Sequence, residues 1–194
     1  MTEEPSRRRA IAIAGHQGDV ELATGALADS DPSVRATALG ALDRLGVLTD
    51  EIVHGALADE HGTVRRRACE LAASRPAVDL SAALADDDAT VVEVAAFACG
   101  ERSAARSEIV ATLADLAGGH RDPLVREAAV AALGAIGDPA GLAAILAATS
   151  DKPAIRRRAV IALAPFDGPD VDAALTAART DRDWQVRQAA EDLT

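Results

Sequence analysis

A short phrase that begins a helix recurs through this chain about every thirty residues. One copy reads Asp31-Pro32-Ser33-Val34-Arg35, and its variants place an aliphatic key residue, equivalent to Val34, at Val64, Val91, Val125, Ile155 and Val186. Self-similarity at a fixed period indicates an array of similar units, each burying its apolar face against its neighbours. A domain with one central core is therefore not expected.

Each repeat contains two segments with apolar residues at three- and four-residue spacing, which predicts two helices joined by a short turn. The first helices are predicted at 20–28, 50–58, 78–85, 107–117, 140–148 and 169–179. The second helices begin at the recurring phrase, where Asp or Ser caps backbone N–H groups and proline suits the first turn. We expect helices to end near glycines, which tolerate a left-handed cap: Gly46, Gly100, Gly118, Gly119, Gly137 and Gly168.

The second helices have a predictable buried stripe. At 100° per residue, the key residue and those four, seven and eight positions later lie on one side, as in Val34, Ala38, Ala41 and Leu42. The position two after the key residue lies opposite, and the positions five and six after it flank that position. We expect these three positions to form a surface row along successive second helices.

Composition limits the classes of partner. Aromatic residues make up only 2% of the chain and alanine is abundant, so we expect closely packed helices. The net charge of −11 disfavours a nucleic-acid backbone as the partner, because that affinity depends largely on cationic groups. No apolar run approaches the roughly 20 residues of a membrane span, and the N-terminus lacks the order of a signal peptide. These features predict a soluble cytoplasmic protein in which Cys69 and Cys99 are reduced core or seam residues.

The Asp-Pro-x-Val-Arg turn, followed by the Ala and Leu of the second helix, resembles the HEAT-repeat family, in particular the short-repeat, phycobilisome-lyase-type members. The resemblance implies an all-α, right-handed α-α superhelix of about six helical-hairpin repeats plus an N-terminal half repeat, as a single domain over residues 1–194. It also implies that second helices line a concave face that holds the partner.

The resemblance further implies a ladder between neighbouring repeats, formed by the turn Asp and the following Arg. The matching residues include Asp31, Arg35, Arg65, Asp122, Arg126, Arg156, Asp183 and Arg187. Val92 departs from this pattern, and residues 101–106 add extra connection, so we expect a bend or flexible point there.

The predicted partner-binding residues of the concave face are Arg8, Arg66, Glu93, Phe97, Glu127, Ala131, Arg157 and Ile161. The arginines belong to triplets that are either part of a patch for acidic groups or solvated helix surface. The row of Phe97, Ala131 and Ile161 is either an exposed apolar patch or interhelical packing. Trp184 is either an aromatic anchor or a cover for the end of the array.

Catalytic signals are weak. The four histidines are dispersed, and no His-Glu-x-x-His or paired-cysteine metal motif occurs. We therefore expect a non-enzymatic scaffold that binds a partner protein or peptide, with no cofactor, no metal and no membrane. The alternatives are a nucleic-acid-binding or DNA-glycosylase-like HEAT protein, and a lyase or chaperone accessory of the phycobilisome-lyase type.

Overall fold

The structure is a computed structural model that describes residues 6–102 and 106–193. These residues form twelve α-helices and no β-strand. The helices are α1 (Arg7–Gln17), α2 (Val20–Gly25), α3 (Pro32–Arg44), α4 (Asp50–Leu57), α5 (Gly62–Ala72), α6 (Ala89–Gly100), α7 (Ser107–Gly119), α8 (Pro123–Ile136), α9 (Leu142–Ala148), α10 (Pro153–Ala162), α11 (Pro169–Ala178) and α12 (Trp184–Glu191). Short 3₁₀ turns at Ala26–Ala28, Ala83–Ala85 and Pro139–Gly141 complete the set. The all-α prediction is confirmed.

The contacts divide the chain into a unit of residues 1–83 and a unit of residues 84–194. In the first unit, α1, α3 and α5 pack in a row, while α2 and α4 pack against α3 and α5. In the second unit, α6, α8, α10 and α12 form the row, and α7, α9 and α11 pack on it as hairpin partners. The second helices of each unit are therefore successive neighbours, as predicted. The single domain over residues 1–194 stays a prediction.

The second helices begin where the recurring phrase predicts, and in α3, α6, α8 and α12 an Asp side chain caps the first turn. Asp31 Oδ1 accepts a hydrogen bond from the Ser33 backbone N–H at 2.8 Å, and Asp122 Oδ1 accepts one from Leu124 at 2.9 Å. Each bond satisfies a backbone donor that has no partner within the helix. The helix ends were predicted less well. Among the six glycines named, Gly46, Gly137 and Gly168 have positive φ, and Gly168 precedes α11 instead of ending a helix.

The predicted helix at 78–85 is wrong. This segment contains no α-helix, only turns and the 3₁₀ turn Ala83–Ala85. The Asp79 carboxylate accepts hydrogen bonds from the Ser81 backbone N–H at 3.1 Å and the Ser81 hydroxyl at 2.7 Å. Such local side-chain bonds compete with helical hydrogen bonding. The apolar side chains that suggested a helix, Val78, Leu80 and Leu84, are nevertheless buried.

The predicted core stripe is confirmed, with Val34, Ala38, Ala41 and Leu42 all buried. The position five after the key residue, expected at the surface, is also buried in all but the last repeat: Leu39, Cys69, Ala96, Val130 and Val160, together with Ile11 of α1, where Ser6 stands in for the key residue. The apolar stripe of a second helix is therefore wider than predicted. In α12 the same position is the exposed Glu191.

Neighbouring second helices approach closely at small residues. A Cβ atom added at Gly134 of α8 would lie 2.6 Å from the Ala162 Cα of α10, and one at Gly100 of α6 would lie 2.9 Å from the Ala132 Cα of α8. At separations under about 3 Å, a side chain at these positions would require the neighbouring backbones to move apart. The alanine-rich composition thus produces the close packing that it predicted.

An arginine at the start of one second helix binds an aspartate in the turn of the following repeat. The Arg156 Nε and Nη2 atoms donate to Asp181 at 2.8 and 2.7 Å, and Arg126 donates to Asp151 at 2.7 and 3.0 Å. Arg35 binds Asp59 in the same way. The ladder implied by the family resemblance is present, but its acids are not the predicted Asp31, Asp122 and Asp183, which cap their own helices.

Each ladder guanidinium also binds its own turn. Nη1 of Arg156 donates to the Asp151 carbonyl at 2.9 Å, so one side chain connects two consecutive turns. The hydrogen bonds from Arg156 lower the pKa of Asp181 despite the opposing effect of burial. Arg156 itself is only 6% exposed. Charge-assisted bidentate pairs of this kind are strong and geometrically specific.

Val92 takes the arginine position at one junction, and the aspartate is missing there as well. His120 occupies the place of the acid, and its Nδ1 accepts the backbone N–H of Asp122 at 3.1 Å. At the last junction Asp181 Oδ1 accepts the Asp183 N–H at 2.7 Å in the same role. Both members of the ion pair are thus replaced together, and Val92 is buried without leaving a charge unpaired. The predicted bend at 101–106 stays a prediction, since residues 103–105 lie outside the described residues.

Candidate functional site

The exposed large apolar residues of the second unit all lie on the row of second helices. They are Phe97 of α6, Leu124 of α8, Ile161 of α10 and Trp184 of α12, with 55%, 55%, 38% and 64% of their surface exposed. No large apolar residue of α7, α9 or α11 is comparably exposed. Exposed apolar groups that gather on one face commonly mark an interaction surface.

Phe97 and Ala131 share a groove of about 530 Å³, which we call the α6–α8 groove. Four alanines of α8 line it, together with the exposed Phe97 and Leu124. Its charged residues are Glu93, Glu101, Glu127 and Arg158. The Arg158 Nε atom lies 3.7 Å from Glu127 Oε1, so the single cation of the lining is paired. The groove therefore combines apolar surface with an excess of carboxylates.

A second groove of about 420 Å³ lies between α10 and α12 and is called the α10–α12 groove. Its lining includes Arg157, Ile161, Trp184, Gln188 and Leu193. Trp184 occupies the first position of α12 and keeps 64% of its surface exposed. The indole is therefore not buried as a cover for the end of the array.

The first unit has a groove of a different character between α1, α3 and α5, with a volume of about 350 Å³. We call it the arginine groove. Its lining contains the side chains Arg8, Ser33, Thr37, Arg44, Thr63, Arg66 and Arg67, together with small residues. No carboxylate lines it. Arg66 and Arg67 each approach Glu70, at 3.4 and 2.7 Å.

The eight predicted binding residues thus fall into three grooves. Glu93, Phe97, Glu127 and Ala131 lie together in the α6–α8 groove, Arg157 and Ile161 lie in the α10–α12 groove, and Arg8 and Arg66 lie in the arginine groove. Ile161 is therefore placed with Trp184 and not in the groove that holds Phe97 and Ala131. Whether these residues bind a partner stays a prediction.

Sequence reasoning missed Leu124, Arg158, Arg44 and Arg67. Leu124 had a readable signal, because the residue before the key aliphatic is small or polar in the other clear copies of the phrase, such as Ser33, Thr63 and Ala154. Arg44 and Arg67 had no such signal, since nothing in the sequence distinguishes an arginine that faces a groove from one that faces open solvent.

The described residues offer few groups for metal or redox chemistry. Cys69 and Cys99 are buried, which confirms their assignment to the core. In residues 6–102 and 106–193, no group of three or more His, Cys, Asp or Glu side chains is placed to hold a metal ion. A search of the same residues finds no helix with the length and hydropathy of a membrane span.

Comparison with known proteins agrees with this architecture. A family model of HEAT repeats matches residues 76–153, while no curated protein sequence matches the chain significantly. The solved structure of YibA from Escherichia coli superposes with a TM-score of 0.69 at 19% identity, over 96% of this chain and 74% of that one. An engineered protein gives 0.65 at 20% identity, over 98% and 60%.

A designed armadillo repeat protein, solved in complex with the peptide (KR)4, superposes with a TM-score of 0.50 at 15% identity, over 96% of this chain and 84% of that one. At such identities these structures show the fold alone. The phycobilisome-lyase-type subgroup stays a prediction. The match of residues 76–153 to HEAT repeats and the likeness to these solved structures together show that this chain has the all-α repeat fold of HEAT and armadillo proteins.

Proposed function

We propose that this chain is a non-enzymatic scaffold whose second unit binds a segment of a partner protein along α6, α8, α10 and α12. The observation that carries the proposal is the placement of Phe97, Leu124, Ile161 and Trp184 on that one face. Aromatic side chains in partly formed pockets are the residues that most often dominate binding energy at protein interfaces.

The apolar groups can supply a useful binding free energy. Full burial of a large apolar side chain contributes about 1.5–3 kcal/mol. Because Phe97 and Leu124 are each 55% exposed, completing their burial is worth about 1–1.5 kcal/mol apiece. Ordering a partner costs part of this gain, so the apolar contacts need polar ones beside them.

The charges of the α6–α8 groove select the chemistry of the partner. With Arg158 already beside Glu127, the carboxylates of Glu93 and Glu101 remain as acceptors for a cationic partner. We infer a segment in which an apolar side chain is flanked by Lys or Arg. The designed armadillo protein solved with (KR)4 illustrates that a stack of helical repeats can hold a basic peptide.

A selection of displayed random peptides on the immobilised protein tests the proposal. Enriched peptides should carry an apolar residue next to basic residues, and Leu124→Asp should weaken their binding about tenfold. Leu22→Asp is the matched control, since Leu22 of α2 is 45% exposed and lies in the other unit. The assignment of this face would be overturned if the enriched peptides bound Leu124→Asp and Phe97→Asp as tightly as the native protein, or if no peptide were enriched.

A further inference from the structure

The arginine groove of the first unit is not explained by the proposed function, because it lies in the other unit and has the opposite charge. Four arginines line it, although the chain as a whole carries a net charge of −11. Arg8 and Arg44 are exposed. Glu70, which approaches Arg66 and Arg67, does not belong to the lining. The groove is therefore a local concentration of positive charge.

Glycines make room for two of these guanidinium groups. A Cβ atom added at Gly40 of α3 would lie 2.5 Å from Arg67 Nη2 and 3.3 Å from Arg67 Cζ. One added at Gly15 of α1 would meet the Ala41 Cα of α3 first, at 2.9 Å, and then Arg44 Nη1 at 3.2 Å. The Arg67 guanidinium thus lies against the bare backbone of the neighbouring helix. Glycine is less favourable than alanine inside a helix, so Gly40 lowers the stability of α3 but leaves room for the Arg67 guanidinium.

The chemistry of the lining fits oxyanions. Guanidinium groups present planar, paired donors that match carboxylate and phosphoryl oxygens. The hydroxyl groups of Ser33 and Thr63 line the same groove and can donate further hydrogen bonds. No carboxylate of the lining competes with an incoming anion.

We propose that the arginine groove binds an anionic peptide segment, one rich in phosphoserine or glutamate. A nucleic acid fits less well, for two reasons. The lining contains no aromatic side chain on which a base could stack. The net charge of −11 repels a long polyanion, whereas a short segment need only meet the groove.

Fluorescence anisotropy with a labelled peptide of alternating glutamate and phosphoserine tests this inference. The expected result is binding that weakens as salt is added, with no binding of the matched glutamine and serine peptide. Arg8→Gln and Arg44→Gln should each weaken binding about tenfold, since each removes a charge-assisted contact. Arg9→Gln is the matched control: Arg9 is an exposed neighbour on α1, and it does not line the groove.

A variant that keeps every charge tests the geometry. Gly40→Ala forces the Arg67 guanidinium away from α3, which a flexible side chain can accommodate without unfolding the helix. We expect several-fold weaker peptide binding at an unchanged or higher thermal midpoint. Equal losses in Arg8→Gln and Arg9→Gln would overturn the site in favour of general electrostatics. Tighter binding of a single-stranded oligonucleotide, lost in Arg44→Gln, would overturn the peptide as occupant. Because the Leu124→Asp variant leaves this groove intact, it should bind the anionic peptide normally whether or not the proposed function holds.

Discussion

The ion pair between Arg156 and Asp181 offers a direct test of what holds neighbouring repeats together. Replacement of Arg156 by valine leaves the Asp181 carboxylate, whose side chain is 16% exposed, without its cation. Removing one partner of a buried pair costs about 3–5 kcal/mol, chiefly because the remaining charge stays desolvated. Asp181 keeps some contact with water and the hydrogen bond from Asp183 N–H. We therefore expect a loss near the lower limit, about 3 kcal/mol of unfolding free energy.

The junction at Val92 and His120 supplies the second half of the experiment. A double variant, Arg156→Val with Asp181→His, reproduces that natural pair at the last junction. The neutral imidazole needs no cation, and its Nδ1 can accept the Asp183 N–H as His120 accepts that of Asp122. We expect the double variant to recover about 2 kcal/mol of the loss, a coupling within the usual range for contacting residues.

Urea unfolding at pH 8, followed by the fluorescence of Trp184, measures both variants. Trp184 is the single tryptophan of the chain and begins α12, so its signal reports the last repeat. Arg157→Val is the control, because Arg157 is an exposed neighbour outside the ladder, and a surface change is usually within about 0.5 kcal/mol. If the double variant proves as unstable as Arg156→Val, the unpaired carboxylate is not the source of the loss.

Three further perturbations follow from the same structure. Because folding lowers the pKa of Asp181, the stabilisation by its carboxylate is present above the unfolded pKa and is lost as the pH falls through the folded pKa. Thermal midpoints measured between pH 6 and pH 2 should therefore fall less steeply in Asp181→Asn than in the native chain. Gly134→Ala places a Cβ 2.6 Å from the Ala162 backbone and should lower the unfolding free energy in urea by about 1–3 kcal/mol. Gly118→Ala of α7, whose added Cβ meets open space, should raise the unfolding free energy by up to about 1 kcal/mol. The opposite order would contradict the close approach of α8 and α10. Phe97→Asp should shift the thermal midpoint by only a few degrees in a calorimeter, because 55% of the ring is already exposed, and a much larger fall would show that the ring belongs to the core.

The sequence predicted the second helices well because their signals are local. The Asp of the phrase caps the helix within three residues, and the apolar stripe depends only on helical periodicity. The segment 78–85 failed because its apolar residues are buried without a helix, while Asp79 and Ser81 favour a turn. Periodicity alone cannot distinguish a buried turn from a short helix.

The ladder and the grooves were harder to predict because they depend on contacts between repeats. Several turns contain more than one acid, and only the packing decides that Asp181, and not Asp183, receives Arg156. The predicted row of Phe97, Ala131 and Ile161 was separated for the same reason, since Ile161 faces α12 and Trp184. Helical periodicity finds the exposed face, but it cannot locate the boundaries between grooves.

The joint replacement at Val92 and His120 has a consequence for anyone who recombines such proteins. Donor and acceptor of the ladder belong to consecutive repeats, so compatibility is a property of the junction and not of either repeat alone. If a repeat whose second helix carries Val92 were joined to a repeat whose turn carries Asp181, the largely buried Asp181 carboxylate would have no arginine to pair with, although both repeats are native. Shuffled or lengthened versions of this chain should therefore be cut inside hairpins, so that every junction is inherited whole.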